Sequence, residues 1–184
     1  HNPIIFADVP DMSMVRVGDT YYMSSTTMHM NPGVPIMKSK NLVDWEIISY
    51  TYETLGDIDA FELQNGKNAY GGGTWASSLR YHNGTFYVST FSNNSNLNYL
   101  FYTDDPEKTP WKMKSYKPKI HDHSLFFDDD GKIYMISCGG QVGISEMKSD
   151  LSGIKEETTR TLIKDADAIT GKKRGLPAEG AQIF

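Results

Sequence analysis

Apolar and polar residues alternate along short segments of this chain, and clusters of Gly, Asn, Asp and Pro separate the segments. A period of two is typical of β-strands, and the three-to-four-residue spacing of an amphipathic helix is nearly absent. The pattern is clearest at residues 124–136. There an apolar run, Ser124–Phe127, is followed by an acidic turn that ends at Gly131 and by β-branched and aromatic residues at 132–136. This arrangement predicts a β-hairpin.

Two further copies of this hairpin lie upstream, at residues 11–23 and 76–88, and residues 178–184 look like the opening strand of a fourth copy. The three complete copies align on a serine in the first strand and a tyrosine in the second: Ser13, Ser78 and Ser124, with Tyr22, Tyr87 and Tyr134. Each copy is followed by another pair of strand-like segments. Four strands per repeat are typical of a blade of a β-propeller.

We therefore expect an all-β fold, a β-propeller of which this chain supplies about three blades and the first strand of the fourth. The predicted limits, within one domain at 1–184, are about 8–50 for blade 1, 74–118 for blade 2, 120–165 for blade 3 and 177–184 for the start of blade 4. Residues 49–73 form a long loop between the first two blades. Such a loop passes over a rim of the propeller, where substrates enter. A solvated insertion is the alternative.

Acidic residues occupy one equivalent position in three of the four copies. Asp11 and Asp122 lie two residues before Ser13 and Ser124, and Glu179 lies two residues before Ala181, which stands in the serine position. In the second copy the position holds Ala76, directly after Trp75. Equivalent positions on the first strands of blades converge on the propeller axis, so the alignment predicts three carboxylates around one central pocket. Strand caps and turns are the alternative use of acidic residues near Gly and Ser.

Composition and charge limit the classes of function that this chain can have. The 184 residues are 39% hydrophobic and 12% aromatic, which is ample for a folded domain, and the net charge is −5. The basic residues are dispersed apart from residues 172–174, so the face needed to bind nucleic acid is missing. No apolar run approaches the ~20 residues of a membrane span, and residues 1–20 lack the pattern of a signal peptide, although a leader could precede this numbering.

Several residues that invite a chemical role are better explained by structure. Cys138 is the only cysteine, which excludes an intrachain disulfide and a thiolate zinc site and favours a buried small side chain. The acidic run before Gly131 lacks the alternating ligands of a calcium loop and lies where a hairpin turn is needed, so we predict no metal there. His121 and His123 flank Asp122 and, on a strand, would point to the opposite face from it.

Several separate motifs, in order along the whole chain, resemble glycoside hydrolase family 43. They are NPIIFADVPDMS at 2–13, VGDTYY at 17–22, GTWA at 73–76, DHSLFFDDDG at 122–131 and AEG at 178–180. Within that family the chain is most similar to bacterial β-xylosidases and α-L-arabinofuranosidases. The resemblance departs from the usual family pattern, which has Pro at the positions of Met12, His123 and Ala181.

The resemblance implies a five-bladed propeller and an inverting mechanism. It implies that Asp11 is the general base, Glu179 the general acid, and Asp122 the carboxylate that tunes and orients the acid. These are the residues that the repeat alignment selects independently. Inversion needs such a pair roughly 6.5–9.5 Å apart, so that a water molecule fits between the base and the sugar. We expect Trp75, Ala76 and His29 to contact the substrate, Trp75 with the apolar face of its ring against the sugar. A core tryptophan is the alternative.

The expected function is thus hydrolysis of β-xylosidic or α-L-arabinofuranosidic linkages in plant hemicellulose or arabinan. A non-catalytic carbohydrate-binding or scaffolding propeller is the alternative, which the three departures from the family pattern keep open. We expect an oligo- or polysaccharide partner, no cofactor held by these residues, and a bacterial periplasmic or extracellular location, with the cytoplasm as the alternative. Since three blades cannot close a propeller, we expect a longer polypeptide, in which residues after Phe184 would hold any central ion.

Overall fold

The computed structural model of the protein describes residues 2–28, 31–164 and 178–184, and within these ranges it is built of β-strands with one turn of 3-10 helix at Glu156–Thr158. No helix among the described residues is long and apolar enough to cross a membrane. The strands of the first sheet are β1 Ser13–Val17, β2 Thr20–Ser24, β3 Gly33–Ser39 and β4 Glu46–Tyr52. The second sheet contains β5 Thr74–His82, β6 Thr85–Ser92, β7 Leu97–Thr103 and β8 Lys112–Tyr116. The third contains β9 Ser124–Phe127, β10 Ile133–Cys138, β11 Val142–Glu146 and β12 Arg160–Ile163.

Each sheet is an antiparallel meander in which strands pair in chain order. The hairpins predicted from the repeats are β1–β2, β5–β6 and β9–β10. In the second, His82 pairs with Thr85 across Asn83 and Gly84, whose φ angles of 47° and 82° fit the tight turn that β-hairpins favour. In the third, the backbone N–H of Gly131 donates to the Asp128 carbonyl at 3.0 Å, so the acidic run closes a turn. The prediction of an all-β repeat fold is confirmed.

Apolar residues shared between neighbouring sheets form the core. One cluster joins the first two sheets; in it the ring of Tyr52 on β4 stacks on that of Phe101 on β7 at 5.5 Å. A second cluster joins the second and third sheets through Leu100, Leu125 and Met135, all at most 1% exposed. Face-to-face packing of successive four-stranded sheets is the packing of propeller blades.

Two of the three serines that mark the repeat bond to a backbone group of the next part of the structure. The Ser13 hydroxyl on β1 accepts a hydrogen bond from the backbone N–H of Leu79 on β5 at 2.9 Å. The Ser124 hydroxyl on β9 donates to the Ala181 carbonyl at 2.8 Å. Each of these hydroxyls gives a backbone group the partner that it needs. The Ser78 hydroxyl bonds to no described residue.

Residues 178–184, where the sequence predicts the first strand of blade 4, carry no strand in the structure, and the start of that blade stays a prediction. A strand is defined by a backbone ladder with a partner, and no described segment pairs with these residues in that way. The segment nevertheless packs beside the third sheet, where Ala181 and Ile183 contact the cluster around Ile136 and Ile144. The hydrogen bond between Ser124 and the Ala181 carbonyl places this segment next to the start of β9.

Candidate active site

Three residues with positive φ angles lie near the start of the first strand of each sheet, two of them just before β1 and β9 and one at a bulge within β5. They are Asp11 at 50°, Ala76 at 39° and Asp122 at 43°, each two residues before a buried serine. Non-glycine residues rarely adopt this conformation, and where they do it is commonly at a functional site. In the last segment the corresponding angle, 65°, belongs to Gly180. The predicted register is therefore shifted by one residue there, and Glu179 precedes the special backbone position.

One cavity of about 270 Å³ brings the three predicted carboxylates together. It is lined by residues of all three sheets and of the last segment: Asp11, Met12, Ala76, Ser77, Ser78, Asp122, His123, Ser124, Glu179, Gly180, Ala181 and Gln182. Asp11 and Glu179 are exposed residues, whereas the Asp122 side chain is only 12% exposed. Two carboxylates at the mouth thus surround a third that lies deeper.

Charge repulsion acts on the deeper carboxylate. Burial raises the pKa of Asp122 above its usual value, and the negative charges of Glu179 and Asp11 raise it further, while His121 opposes the shift. Each of these three neighbours is thus close enough to change the ionisation of Asp122.

His121 is part of this site, contrary to the prediction that it points to the face opposite Asp122. Its Nε2 lies 3.1 Å from Oε1 of Glu179 and 3.6 Å from Oδ1 of Asp122. The prediction assumed strand alternation, but β9 begins only at Ser124 and the φ of 43° at Asp122 turns the chain. The imidazole is held from the other side by an edge-on contact with the ring of Phe91 at 5.1 Å.

The model of Glycosyl hydrolases family 43 matches residues 1–184 of this chain. The chain belongs to glycosyl hydrolases family 43. A β-xylosidase of Formosa agariphila is 37% identical over 100% of this chain and 32% of its own length. A non-reducing end alpha-L-arabinofuranosidase of Bacteroides ovatus is 32% identical over 100% of this chain and 33% of its own length. The chain thus spans about a third of the length of these curated relatives.

Solved structures of family 43 show the same fold. A bifunctional GH43-CE protein of Bacteroides eggerthii superimposes with a TM-score of 0.94 at 56% identity, covering 100% of this chain and 24% of that chain. A xylan beta-1,4-xylosidase from Bacillus halodurans gives a TM-score of 0.71 at 27% identity, covering 90% of this chain and 34% of that chain. The three four-stranded sheets described above are thus part of a family 43 β-propeller.

His121, Asp122 and Glu179 also present donor atoms within 4.8 Å of one another, a spacing that a divalent ion could bridge. Among the described residues, the contact between His121 and Glu179 explains why these donor atoms lie close together, and no metal is needed to account for it. We assign no metal to the site. The expectation that these residues need no cofactor stays a prediction.

His123 lies behind the carboxylates of this family 43 site and is 2% exposed. Its Nδ1 lies 2.9 Å from the Ile120 carbonyl, so this nitrogen carries the proton and donates. Burial lowers the pKa of His123 to about 4, which makes the ring neutral at ordinary pH. His123 is therefore a neutral, buried wall of the cavity beside the charged groups.

The predicted substrate-binding residues fall in different places. Ala76 lines the carboxylate cavity. Trp75 does not: its half-buried ring lies against Phe91, 6.4 Å between centroids, and its indole N–H donates to the Gly72 carbonyl. Contact between Trp75 and a sugar stays a prediction. His29 lies outside the described residues.

Asp8 is separated from the carboxylate cavity and lines another of about 550 Å³, which Phe6 and Trp45 also line. This distinguishes it from Asp11, as the repeat register predicts.

Sequence reasoning missed Arg80 on β5, whose guanidinium is buried and donates to the Leu125 carbonyl at 2.9 Å and to Gln182 at 3.1 Å. Its position in the second repeat, two residues after Ser78, was the available signal. Arg80 ties the segment that carries Glu179 to the second and third sheets.

Proposed function

We propose that the protein containing this family 43 chain is an inverting glycoside hydrolase of β-xylosidic or α-L-arabinofuranosidic linkages in plant hemicellulose or arabinan. The observation that carries the proposal is the cavity in which Asp11, Asp122 and Glu179 meet, each from a different repeat. The named relatives support the substrate class, since they include a β-xylosidase and an alpha-L-arabinofuranosidase. Their bacterial sources support a bacterial protein, for which we propose a periplasmic or extracellular location.

Inversion assigns a separate role to each exposed carboxylate. Asp11 removes a proton from a water molecule whose oxygen attacks the anomeric carbon, while Glu179 donates its proton to the departing glycosidic oxygen. The bond to the leaving sugar breaks as the new bond forms. Both carboxyl groups then return to their starting protonation states by exchange with solvent, to which both are exposed. Exposure at the cavity mouth supports this assignment.

Asp122 tunes and orients the acid in this proposal. Its interaction with Glu179 is visible in the raised pKa of Asp122 itself, to which the Glu179 charge contributes. His121 lies between the two groups, within 3.1 Å of Glu179 and 3.6 Å of Asp122, and fixes their relative position.

One relative is named a non-reducing end alpha-L-arabinofuranosidase, which supports removal of single terminal or side-chain sugars. We therefore propose exo-acting or debranching hydrolysis of an oligo- or polysaccharide.

The test is release of free pentose by the full-length protein from aryl β-D-xyloside and aryl α-L-arabinofuranoside, with the first-formed anomer identified by NMR. Turnover with inverted configuration on either substrate supports the proposal, and the preferred substrate decides between xylose and arabinose. Retained configuration would overturn the mechanism. Binding of oligosaccharide without turnover would favour a carbohydrate-binding propeller, and Glu179→Gln should then bind as the wild type does.

A further inference from the structure

A second cavity, of about 550 Å³, lies under the long loop between β4 and β5. We propose that this loop cavity is a second sugar-binding subsite, which holds a further unit of the oligosaccharide whose terminal unit occupies the carboxylate cavity. The inference rests on the proposed function. Its lining residues come from the loop and from one other segment, which precedes β3: Asn31, Ala60, Phe61, Leu63, Asn68, Ala69, Tyr70 and Gly73.

The chemistry of the lining suits an uncharged sugar. None of the eight lining residues has an ionisable acidic or basic group apart from the phenol of Tyr70, so the lining offers no charge to a phosphate, a peptide carboxylate or an amine. Tyr70 is 81% exposed and Leu63 is 73% exposed, which leaves an aromatic and an aliphatic surface for the C–H face of a sugar ring. Asn31 Nδ2 donates to the Phe61 carbonyl and Asn68 Oδ1 accepts from the Tyr70 N–H, so the amide atoms that could bind a hydroxyl are Oδ1 of Asn31 as an acceptor and Nδ2 of Asn68 as a donor.

The loop is folded and fixed, so the cavity is preformed. Phe61 and Ala69 are buried at 6% and 8% exposure, and Asn31 donates from Nδ2 to the Phe61 carbonyl at 2.8 Å. Glycines allow the loop to approach its neighbours closely: a Cβ on Gly72 would lie 1.6 Å from Oδ1 of Asn94, and one on Gly73 would lie 2.6 Å from the Thr27 carbonyl. A rigid subsite binds its ligand without the entropy cost of ordering a loop.

Residues that are close together in the chain line the loop cavity and the carboxylate cavity. Gly73 lines the first and Ala76 lines the second. Because consecutive Cα atoms are about 3.8 Å apart, these two residues can be at most about 11 Å apart. That span is within the length of a short oligosaccharide. Trp75 lies between them in the chain, and its indole N–H donates to the Gly72 carbonyl, which holds this segment in place.

The test compares substrates of different length with the full-length protein. In the wild type, kcat/KM should rise from an aryl monopentoside to linear and branched pentose oligosaccharides. We define a length preference as kcat/KM for the oligosaccharide divided by kcat/KM for the aryl monopentoside. This kcat/KM ratio should fall in both Tyr70→Ala and Leu63→Ala. In Tyr70→Ala it should fall by about tenfold, because an aromatic contact contributes about 0.5–1.5 kcal/mol. Phe6→Ala is the matched control, since Phe6 is 86% exposed and lines a different cavity, and its ratio should stay at the wild-type value.

A binding measurement separates this inference from the proposed function. Titration of the Glu179→Gln protein with pentose oligosaccharides should give a dissociation constant that rises about tenfold when Tyr70→Ala is added and does not change when Phe6→Ala is added. If the protein hydrolyses no glycoside but shows this difference in binding, the subsite stands and the catalytic proposal fails. If Tyr70→Ala and Leu63→Ala, folded by circular dichroism, change neither the kcat/KM ratio nor the binding, the subsite is rejected.

Discussion

His121 and Glu179 are 58 residues apart in the sequence, yet Nε2 of His121 lies 3.1 Å from Oε1 of Glu179. The imidazole is held by the Phe91 ring on one side and lies 3.6 Å from Asp122. It therefore determines where the proposed acid can lie without touching the scissile bond. His121 is a positioning residue in this arrangement.

Replacing His121 should affect turnover more than substrate affinity. His121→Phe removes the contact with Glu179 and should lower kcat by about tenfold to a hundredfold, since misplacement of a reacting group by about 1 Å costs up to about 10². His121→Gln keeps a donor and should recover part of the loss. Steady-state kinetics of the full-length protein over a range of pH provide the measurement. An equal loss in both variants, with an unchanged pH profile, would indicate a structural role only.

The choice between Asp11 and Asp8 as general base has a direct test. Asp11→Asn should lower kcat by about 10²–10⁴, the usual contribution of general acid–base catalysis. Asp8→Asn is the matched control and should stay near the wild-type rate, because Asp8 lines a different cavity. The opposite result would show that the repeat register selects the wrong residue.

The repeat register could predict much of this site because it depends on local sequence. Alternation, turn residues and the serine in each first strand determine the hairpins, and the position two residues before Ser13 and Ser124 is a property of the repeat. The same reasoning failed where the backbone leaves the strand. At Asp122 the φ of 43° interrupts the strand alternation, so the predicted direction of the His121 side chain was wrong. In the last segment the positive φ angle belongs to Gly180, which shifts the register of Glu179 by one residue.

Contacts between sheets could not be predicted from the sequence. Arg80 on β5 finds its partners at Leu125 on β9 and at Gln182 in the last segment. These partners are determined by how the sheets pack on one another. Local patterns carry no information about that packing beyond the requirement that apolar faces meet.

Asp122→Asn should make the protein more stable and less active. The folded state raises the pKa of Asp122, so ionisation of this group opposes folding as the pH rises from the unfolded value of 3.8 through the folded pKa. Asparagine removes that penalty. The melting temperature of the variant should therefore exceed that of the wild type at pH 7, and the difference should shrink near pH 4. A variant that melts below the wild type at pH 7 would show that the ionised carboxylate is stabilised by its neighbours.

His123 should make stability fall on acidification. Its pKa is about 4 in the folded protein and 6.5 in the unfolded chain, so between these values the unfolded chain binds more protons. Stability contributed by the neutral ring is then complete above pH 6.5 and decreases toward pH 4, with a slope of at most about 1.4 kcal/mol per pH unit. His123→Gln should flatten this dependence in denaturant unfolding of the full-length protein. His82→Gln, at a half-exposed position, is the control and should leave the dependence in place.

Two of the serines that mark the repeat provide a matched pair at equivalent positions. Ser13 and Ser78 are each 3% exposed, but only Ser13 has a partner among the described residues, the backbone N–H of Leu79 at 2.9 Å. Ser13→Ala leaves that buried N–H without an acceptor and should cost about 1–3 kcal/mol, whereas Ser78→Ala removes a hydroxyl that bonds to no described residue and should be close to neutral. Denaturant unfolding followed by tryptophan fluorescence would measure both. Equal effects of the two substitutions would mean that the serine contributes by its size at this position, and that the link from β1 to β5 does not hold the first two sheets together.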